Sequence, residues 1–374
     1  MESEPVGTLT RGKANGMVVG ALTRAWRRPM CAVDGLAVEL LPAAERDPAA
    51  ATWQRLEALH GAGVAESWDW VGTWLDHFGD LVPHRFAVGS RGGVARGIAL
   101  LTHGVDQYRG PIPVRTIHLG TAGEPDLDTV RVEYNRVLVA PADRTAFAAA
   151  LLAAIRAGGG RYDEMSLNGF APEDAAPILA AEPRFRLSRR VSHVTDLRAI
   201  RENGGSVLAA LRGSTAYKIR RSRRHLEQAH GPLRLEWAET LDQAEDILAE
   251  LIGLHVTRWE RAGQPAKFAS TRFRGFHRDL VRRLFPRGGV LLARVTAGDL
   301  TVGCDYSLIE HGRVLAYNWG LRRFDDTLIS PGLVTGAMVM QEALERGLDE
   351  YDWLAGDVLY KRQLSTTTRE LIWG

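Results

Sequence analysis

Ser330, Pro331 and Gly332 open an apolar periodic run that carries no Asp or Glu until Glu342, and Asp352, Asp357, Tyr360 and Lys361 follow one strand later. Serine suits a helix N-cap, proline the first helical position, and glycine lets a ligand approach the backbone. With Leu333 completing a first turn free of acid, the N–H groups there can point at an anion such as a pyrophosphate. Gly347 ends the helix expected over 331–346, and residues 351–354 read as a short buried strand. Asp357, Tyr360 and Lys361 occupy the loop behind it. A carrier held at the helix start would present its reactive end near that loop, a layout that suits acyl-CoA chemistry.

The elements around this constellation recur along the chain. In the second half, a helix over 241–261 is followed by strands 290–296 and 301–309, which flank Gly298-Asp299. Strand 314–319 then precedes the 331–346 helix. In the first half, a Trp-rich helical segment (Trp68, Trp70, Trp74) leads to strand 84–88, a turn at Gly92-Gly93 and strand 94–101. Strand 132–139, a helix over 143–157 and strand 162–167 complete it. Tyr162-Asp163 and Tyr351-Asp352 each follow a glycine that ends a helix. The repetition predicts a tandem duplication with a boundary between Asp196 and Gly205. The expected organisation is a poorly ordered extension over 1–33, a first domain over 34–196 and a second over 205–374. The copies differ at one point that bears on chemistry. The first-copy helix begins with Asp143, which would satisfy its own N-terminus and repel a phosphate, so the second copy is the expected cofactor domain.

At 374 residues, with 45% apolar and 25% charged residues and a net charge of +2, the chain has the composition of an ordinary globular protein large enough for two cores. Charge balance alone does not imply nucleic acid. Only Lys13, Lys218, Lys267 and Lys361 are lysines among 47 basic residues, and arginine suits phosphate and carboxylate partners. Cys31 and Cys304 are too few for a disulfide framework and lack metal-ligand spacing, so the expectation is a reducing cytoplasm and no metal. No apolar run has the length of a membrane span. Met17 and Met30 leave a later translation start open.

Two further segments are candidates for ligand contact. From Gly204 through Leu226 basic residues occur without any acid, and Ile219, Ser222, Leu226 and Ala229 fall on one helical stripe. The exposed side, with Lys218, Arg220, Arg221, Arg223 and Arg224, reads either as a solvated arginine face or as an electrostatic guide for an anionic ligand. With only Tyr217 available for stacking, a nucleic-acid groove ranks lower. The 241–261 helix begins with Thr240 and Gln243 in capping-box spacing and ends with His255, Arg258 and Trp259 near its buried edge. His255 there reads first as a core histidine, whereas Arg258 and Trp259 could line an acceptor pocket or simply pack.

The basic helix, Arg258-Trp259, the Ser-Pro-Gly helix start, and Tyr351-Asp352-Trp353 followed by Tyr360-Lys361 together resemble the CelD-type acetyltransferases of the GNAT superfamily, a group linked to cellulose and exopolysaccharide biosynthesis. The resemblance covers most of 205–363 and, more weakly, the first half. The same plan is shared by Fem-type aminoacyl transferases, which take an amino acid from charged tRNA. Many of those carry a long coiled-coil insertion that this sequence lacks.

The resemblance implies two tandem GNAT-like domains in a mixed α/β (α+β) class, each a mixed central sheet flanked by helices. It also implies acetyl-CoA or another acyl-CoA as co-substrate and a small-molecule or saccharide-related amine as acceptor. Two neighbouring parallel strands, 314–319 and 351–354, would splay around the acyl-pantetheine arm. Tyr317 and Trp319 would line the arm, with Arg322, Arg323, Ser330, Gly332 and Leu333 around the pyrophosphate. Arg322 to Thr327 replace the usual glycine-rich phosphate loop and bring in Asp325 and Asp326. Tyr360 would be the acid for the departing thiolate, or else a packed tyrosine with a bonded hydroxyl. Asp352 or Asp357 would be the base, although Asp352 also reads as a structural partner within a buried strand. Lys361 would contact acceptor or phosphate, or lie on the surface. A tRNA partner belongs only to the Fem-type alternative, and a silent carbohydrate- or partner-binding protein is a third.

Overall fold

The computed structural model describes residues 30–158 and 162–374. Strands β1 (Met30–Val33) and β2 (Leu36–Pro42) form a hairpin whose turn residues Asp34 and Gly35 have φ of 49° and 74°, the left-handed pair a tight hairpin requires. Helices α1 (Arg46–His60) and α2 (Trp68–Phe78) follow, the latter capped by Ser67, whose side chain accepts from the Trp70 N–H. Next come β3 (His84–Arg91), β4 (Val94–Arg109), β5 (Ile112–Leu119), β6 (Leu138–Val139), α3 (Arg144–Ala157), β7 (Glu164–Ser166) and α4 (Pro172–Ala181). The first sheet runs β1-β2-β3-β4-β5-β7, with β6 on β4. All its pairs are antiparallel except β5 with β7.

The second half comprises β8 (Ser188–Asp196), α5 (Leu197–Glu202), α6 (Val207–Ala210), α7 (Gly213–His230), β9 (Leu233–Trp237), α8 (Leu241–Arg261), α9 (Thr271–Leu284), β10 (Val290–Ala297), β11 (Leu300–Glu310), β12 (Arg313–Leu321), α10 (Pro331–Glu345), β13 (Glu350–Ala355), α11 (Leu359–Leu364) and β14 (Thr367–Trp373). Its sheet runs β14-β8-β13-β12-β11-β10-β9, and only β12 with β13 is parallel. Each half thus repeats one unit: an antiparallel meander, a crossover helix, and a strand that returns parallel to the meander's last member. The mixed α/β class with two helix-flanked sheets is the expected one.

Several expectations need correction. Residues 30–33 of the expected extension form β1, and residues 1–29 lie outside the described residues. The strand expected over 132–139 is reduced to Leu138–Val139, because Tyr134 adopts φ 63° and breaks the pleat. The counterpart of β12 is β5, which Pro111 and Pro113 concealed. Strand β8 precedes the expected boundary yet lies between β14 and β13, so the chain changes sheet before Ser188. The halves do not keep separate cores either. One cluster contains Trp53, Trp70, Trp74 and Phe86 from the first half and Leu248, Phe276, Tyr306 and Leu315 from the second. Trp70 and Phe276 meet edge to face at 5.2 Å. Each such ring contributes about 1.5–3 kcal/mol by burial.

Candidate active site

The parallel pair β12–β13 holds for three residues only, Arg313 with Glu350, Val314 with Tyr351 and Leu315 with Asp352. Two bulges then drive the strands apart. On β12, Ala316 faces Ser307 and Asn318 faces Tyr306 of β11, which leaves Tyr317 as the extra residue. On β13, Asp352 faces Val194 and Ala355 faces Ser192, so Trp353 and Leu354 together oppose one residue of β8. Leu354 takes φ 58° and Gly356 φ 121° in completing that turn.

Asp352 holds the second bulge together. Its carboxylate accepts from Ser192 Oγ at 2.6 Å, from the Leu354 N–H at 2.8 Å and from the Tyr134 hydroxyl, and it is fully buried. This removes Asp352 as a base in contact with substrate and makes it the clamp that shapes the splay.

A cleft of about 890 Å³ opens beside the splay and brings together much of the sequence-stated set: Trp319, Arg322, Arg323, Ser330, Gly332, Leu333, Arg258 and Tyr360 all line it. Helix α10 supplies its anion-facing end. Pro331 has no N–H, and the Leu333 and Val334 N–H groups donate to Ser330 O, so Gly332 carries the orphan first-turn amide. Ser330 makes no side-chain cap. Instead its own N–H donates to Ser222 Oγ of α7 at 2.8 Å, which pins the helix start to the basic helix. Helix α7 buries Ile219, Ser222 and Leu226 as the stripe required, but Ala229 is exposed, and Thr215 and Ala216 are buried in its place.

Of the two acids that stand where a glycine-rich phosphate loop would be, Asp326 is turned away, bound by His225 of α7 at 2.9 Å and by the Leu328 N–H at 2.8 Å. Arg322 donates from Nε to Thr301 O at 2.6 Å, which fixes its fork at the rim. Arg261 also lines the cleft and was missed. It stands three residues after Arg258 on the same helix face, a spacing legible in the sequence.

Besides Asp352, four of the expected residues lie outside the cleft lining. Tyr317, turned by its bulge, packs among His277 (5.3 Å), Tyr306 (5.5 Å) and Trp70 (6.1 Å) on the opposite face of β12. Trp259 donates from Nε1 to His255 Nε2 at 3.0 Å on the outer side of α8. Asp357 is exposed and paired with Arg362 (2.7 Å) and His193 (3.1 Å), contacts that hold its carboxyl below the usual range. Lys361 donates to Leu354 O at 3.0 Å and Ala355 O at 2.8 Å, so it braces the bulge from behind. In the first half, Asp143 makes no cap at the start of α3. It accepts from Arg91 and Arg96, each at 2.8 Å, and those guanidiniums hold its carboxyl low.

Residues 213–362, from α7 into α11, match the family model described as an acetyltransferase (GNAT) domain. Over that stretch the second half is similar to an acetyltransferase domain of the GNAT class, and it is joined to a first half built on the same unit. Among solved structures, the chain is similar to FemX, with a TM-score of 0.55 and 11% identity over 85% of this chain and 95% of that one. It is also similar to L-PGS from Bacillus licheniformis, with a TM-score of 0.50 and 9% identity over 86% of this chain and 90% of that one. At such identity the likeness speaks for the fold alone. No curated protein matches the sequence significantly.

Proposed function

We propose that the protein is an acyl-CoA-dependent N-acyltransferase, with acetyl-CoA as the first donor to test and an amine of a small or saccharide-related molecule as acceptor. The observation that carries this reading is the cleft where β12 and β13 part. It runs from an acid-free helix start, flanked by Arg258, Arg261, Arg322 and Arg323, to the ring of Tyr360. Arginine forks and a free first-turn amide suit a diphosphate, and the aromatic wall of Trp319 and Tyr360 suits an uncharged arm. Tyr360 is the acid for the departing thiolate. Burial pushes its hydroxyl above the ordinary tyrosine range, so it is protonated at neutral pH.

Calorimetry with acetyl-CoA, longer acyl-CoAs and charged tRNA tests the assignment. Acetyl-CoA binds the wild type, and Gly332→Asp, which places a carboxylate at the helix start, weakens it by about 1–3 kcal/mol. Unchanged affinity in a folded Gly332→Asp protein sinks the placement. Retention of charged tRNA together with indifference to acyl-CoA would favour the Fem-type alternative. In the structure α8 and α9 are joined by a short segment, with no long coiled-coil insertion among the described residues.

A further inference from the structure

Acyl transfer to an amine needs a group that takes the nitrogen's proton. Neither aspartate of β13 and its loop can do so, since Asp352 is spent on the bulge and Asp357 is held by Arg362 and His193 outside the cleft. The splay nevertheless has a carboxylate, and it comes from the other half of the chain. Residues 131–134 cross from β12 to β13. The Arg131 backbone meets the Tyr317 hydroxyl on one side, and the Tyr134 hydroxyl donates to Asp352 on the other. Glu133, between them, faces the Ala355 N–H and the Lys361 ammonium. The crossing is built rather than incidental. Tyr134 is held at φ 63°, its ring lies under the Arg313 guanidinium at 4.0 Å, and Asn135 Nδ2 ties the turn to Val132 O at 2.8 Å.

We propose that Glu133, carried in by the first half, is the proton acceptor for the amine, so that the active site is complete only at the junction of the two halves. This rests on the N-acyltransferase reading above. The amine enters from the Tyr317 side of β12, opposite the cleft that holds the carrier. Its nitrogen lone pair attacks the thioester carbonyl carbon, the C–N bond forms and the C–S bond breaks. The sulfur leaves with the electron pair and takes the Tyr360 proton, and the nitrogen's surplus proton passes to Glu133. Proton exchange with solvent resets both groups, giving amide and free thiol from amine and thioester.

Burial raises the Glu133 carboxyl from its ordinary value, while Lys361 and the Ala355 N–H hold it down and Asp352 adds to the rise. The net shift is upward, toward the range useful for a base at neutral pH. The charged and titratable groups facing it are Asp352 and Lys361 from β13 and α11, Tyr317 from β12, and Tyr134 from its own segment. Beyond Tyr317 stand Glu124, Lys267 and His277.

The test uses the full chain with acetyl-CoA and two nucleophiles, ethanolamine, a strongly basic amine whose adduct holds its surplus proton, and hydroxylamine, a weakly basic one whose adduct releases that proton readily to water. Thiol release is followed from pH 5 to 9, with acetyl-CoA affinity measured by calorimetry. In the wild type the rate with ethanolamine, referred to the free-amine concentration at each pH, falls as pH drops through the Glu133 ionisation. Glu133→Gln lowers turnover with ethanolamine about a hundredfold, removes that acid limb, loses far less with hydroxylamine and keeps acetyl-CoA affinity within twofold. Glu133→Asp, which keeps the charge beside Lys361, recovers part of the rate, and Glu133→Ala serves in place of Glu133→Gln should the amide variant not fold.

Wild-type turnover and an intact acid limb in folded Glu133→Gln or Glu133→Ala overturn the role of Glu133 and leave the N-acyltransferase reading standing. Equal losses with both nucleophiles also overturn it, since a merely structural defect would not distinguish them. A wild type that neither binds acetyl-CoA nor releases thiol overturns both.

Discussion

Tyr360 stands 44% exposed on the cleft wall, its ring within 6.5 Å of Trp319 and 6.0 Å of Trp353. Those contacts orient the ring but leave the hydroxyl free to serve a leaving group, which separates it from Tyr351 and Tyr134, whose hydroxyls are bound to Asp305 and Asp352. Tyr360→Phe keeps the packing and removes the proton. Turnover should fall roughly a hundredfold or more with acetyl-CoA affinity nearly unchanged. Because burial raises the hydroxyl's pKa, the wild-type rate should hold to a pH above the ordinary tyrosine range before declining, and the variant should lack that decline. Steady-state kinetics on a competent amine would check both, and normal turnover in the variant would remove Tyr360 from the mechanism. At this scale the sequence was a fair guide to residues that follow from helix starts and spacing, such as Gly332 and Arg258. It failed where a side chain's direction depends on a bulge. Tyr317 and Trp319 are two apart and should share a face, but Tyr317 is the inserted residue, so they part to opposite sides of the sheet.

The elements that position the site were largely legible, because periodicity and punctuation agree along the second half. The 241–261 helix is reproduced residue for residue, with both arms of the Thr240–Gln243 capping box formed. The failures have physical causes. Gly110 and Pro111 just before β5, and Pro113 within it, read as breakers, yet Pro113 lies near the outer end of the strand, where a missing donor is tolerated. Over 132–139 the alternation of apolar and polar residues looks like a strand, but Tyr134 spends its side chain on Asp352 of the second half, while Asn135 and Arg136 bind Asn168 and Glu66 within the first. Close approach matters as well. A Cβ on Gly320 of β12 would lie 2.6 Å from Leu251 O, so the strand touches the α8 backbone directly and fixes Arg258 and Arg261 over the cleft.

Helix α7 is the element whose role the fold constrains most. It pins Ser330 through Ser222 and binds Asp326 through His225, so the helix lies beside the anion end of the cleft, with Arg220 and Arg224 on its outer side. Arg220→Glu combined with Arg224→Glu changes two exposed side chains and no core contact. The pair should raise the Michaelis constant for acetyl-CoA and flatten its dependence on salt, with melting temperature nearly constant. If kinetics at low and high salt are unaltered, the arginines are a solvated face.

For the whole molecule, the decisive fact is that two copies of one unit are fused rather than strung together. Helix α2 lies against α9, with Trp70 on Phe276. The last strand returns to the first half, where Phe170 and Ile372 exchange backbone hydrogen bonds and Leu167 and Gly374 do the same. Strand β8, placed before the apparent boundary, is paired on both sides within the second sheet, between β14 and β13. Duplication could be read from the order of elements, whereas sharing of a core could not, since hydrophobic pattern shows which face is buried but not against which partner. A fragment beginning at Gly205 would lose β8, leaving β13 and β14 unpaired at their common edge, and would expose the α9 aromatics. One beginning at Ser188 would keep the strand but still expose those rings. The expected order is therefore full chain well above the Ser188 fragment, with no cooperative melt for the Gly205 fragment, measured by thermal unfolding and dye binding to exposed apolar surface. A Gly205 fragment that melts cooperatively near the full chain's temperature would show that the halves are independent after all.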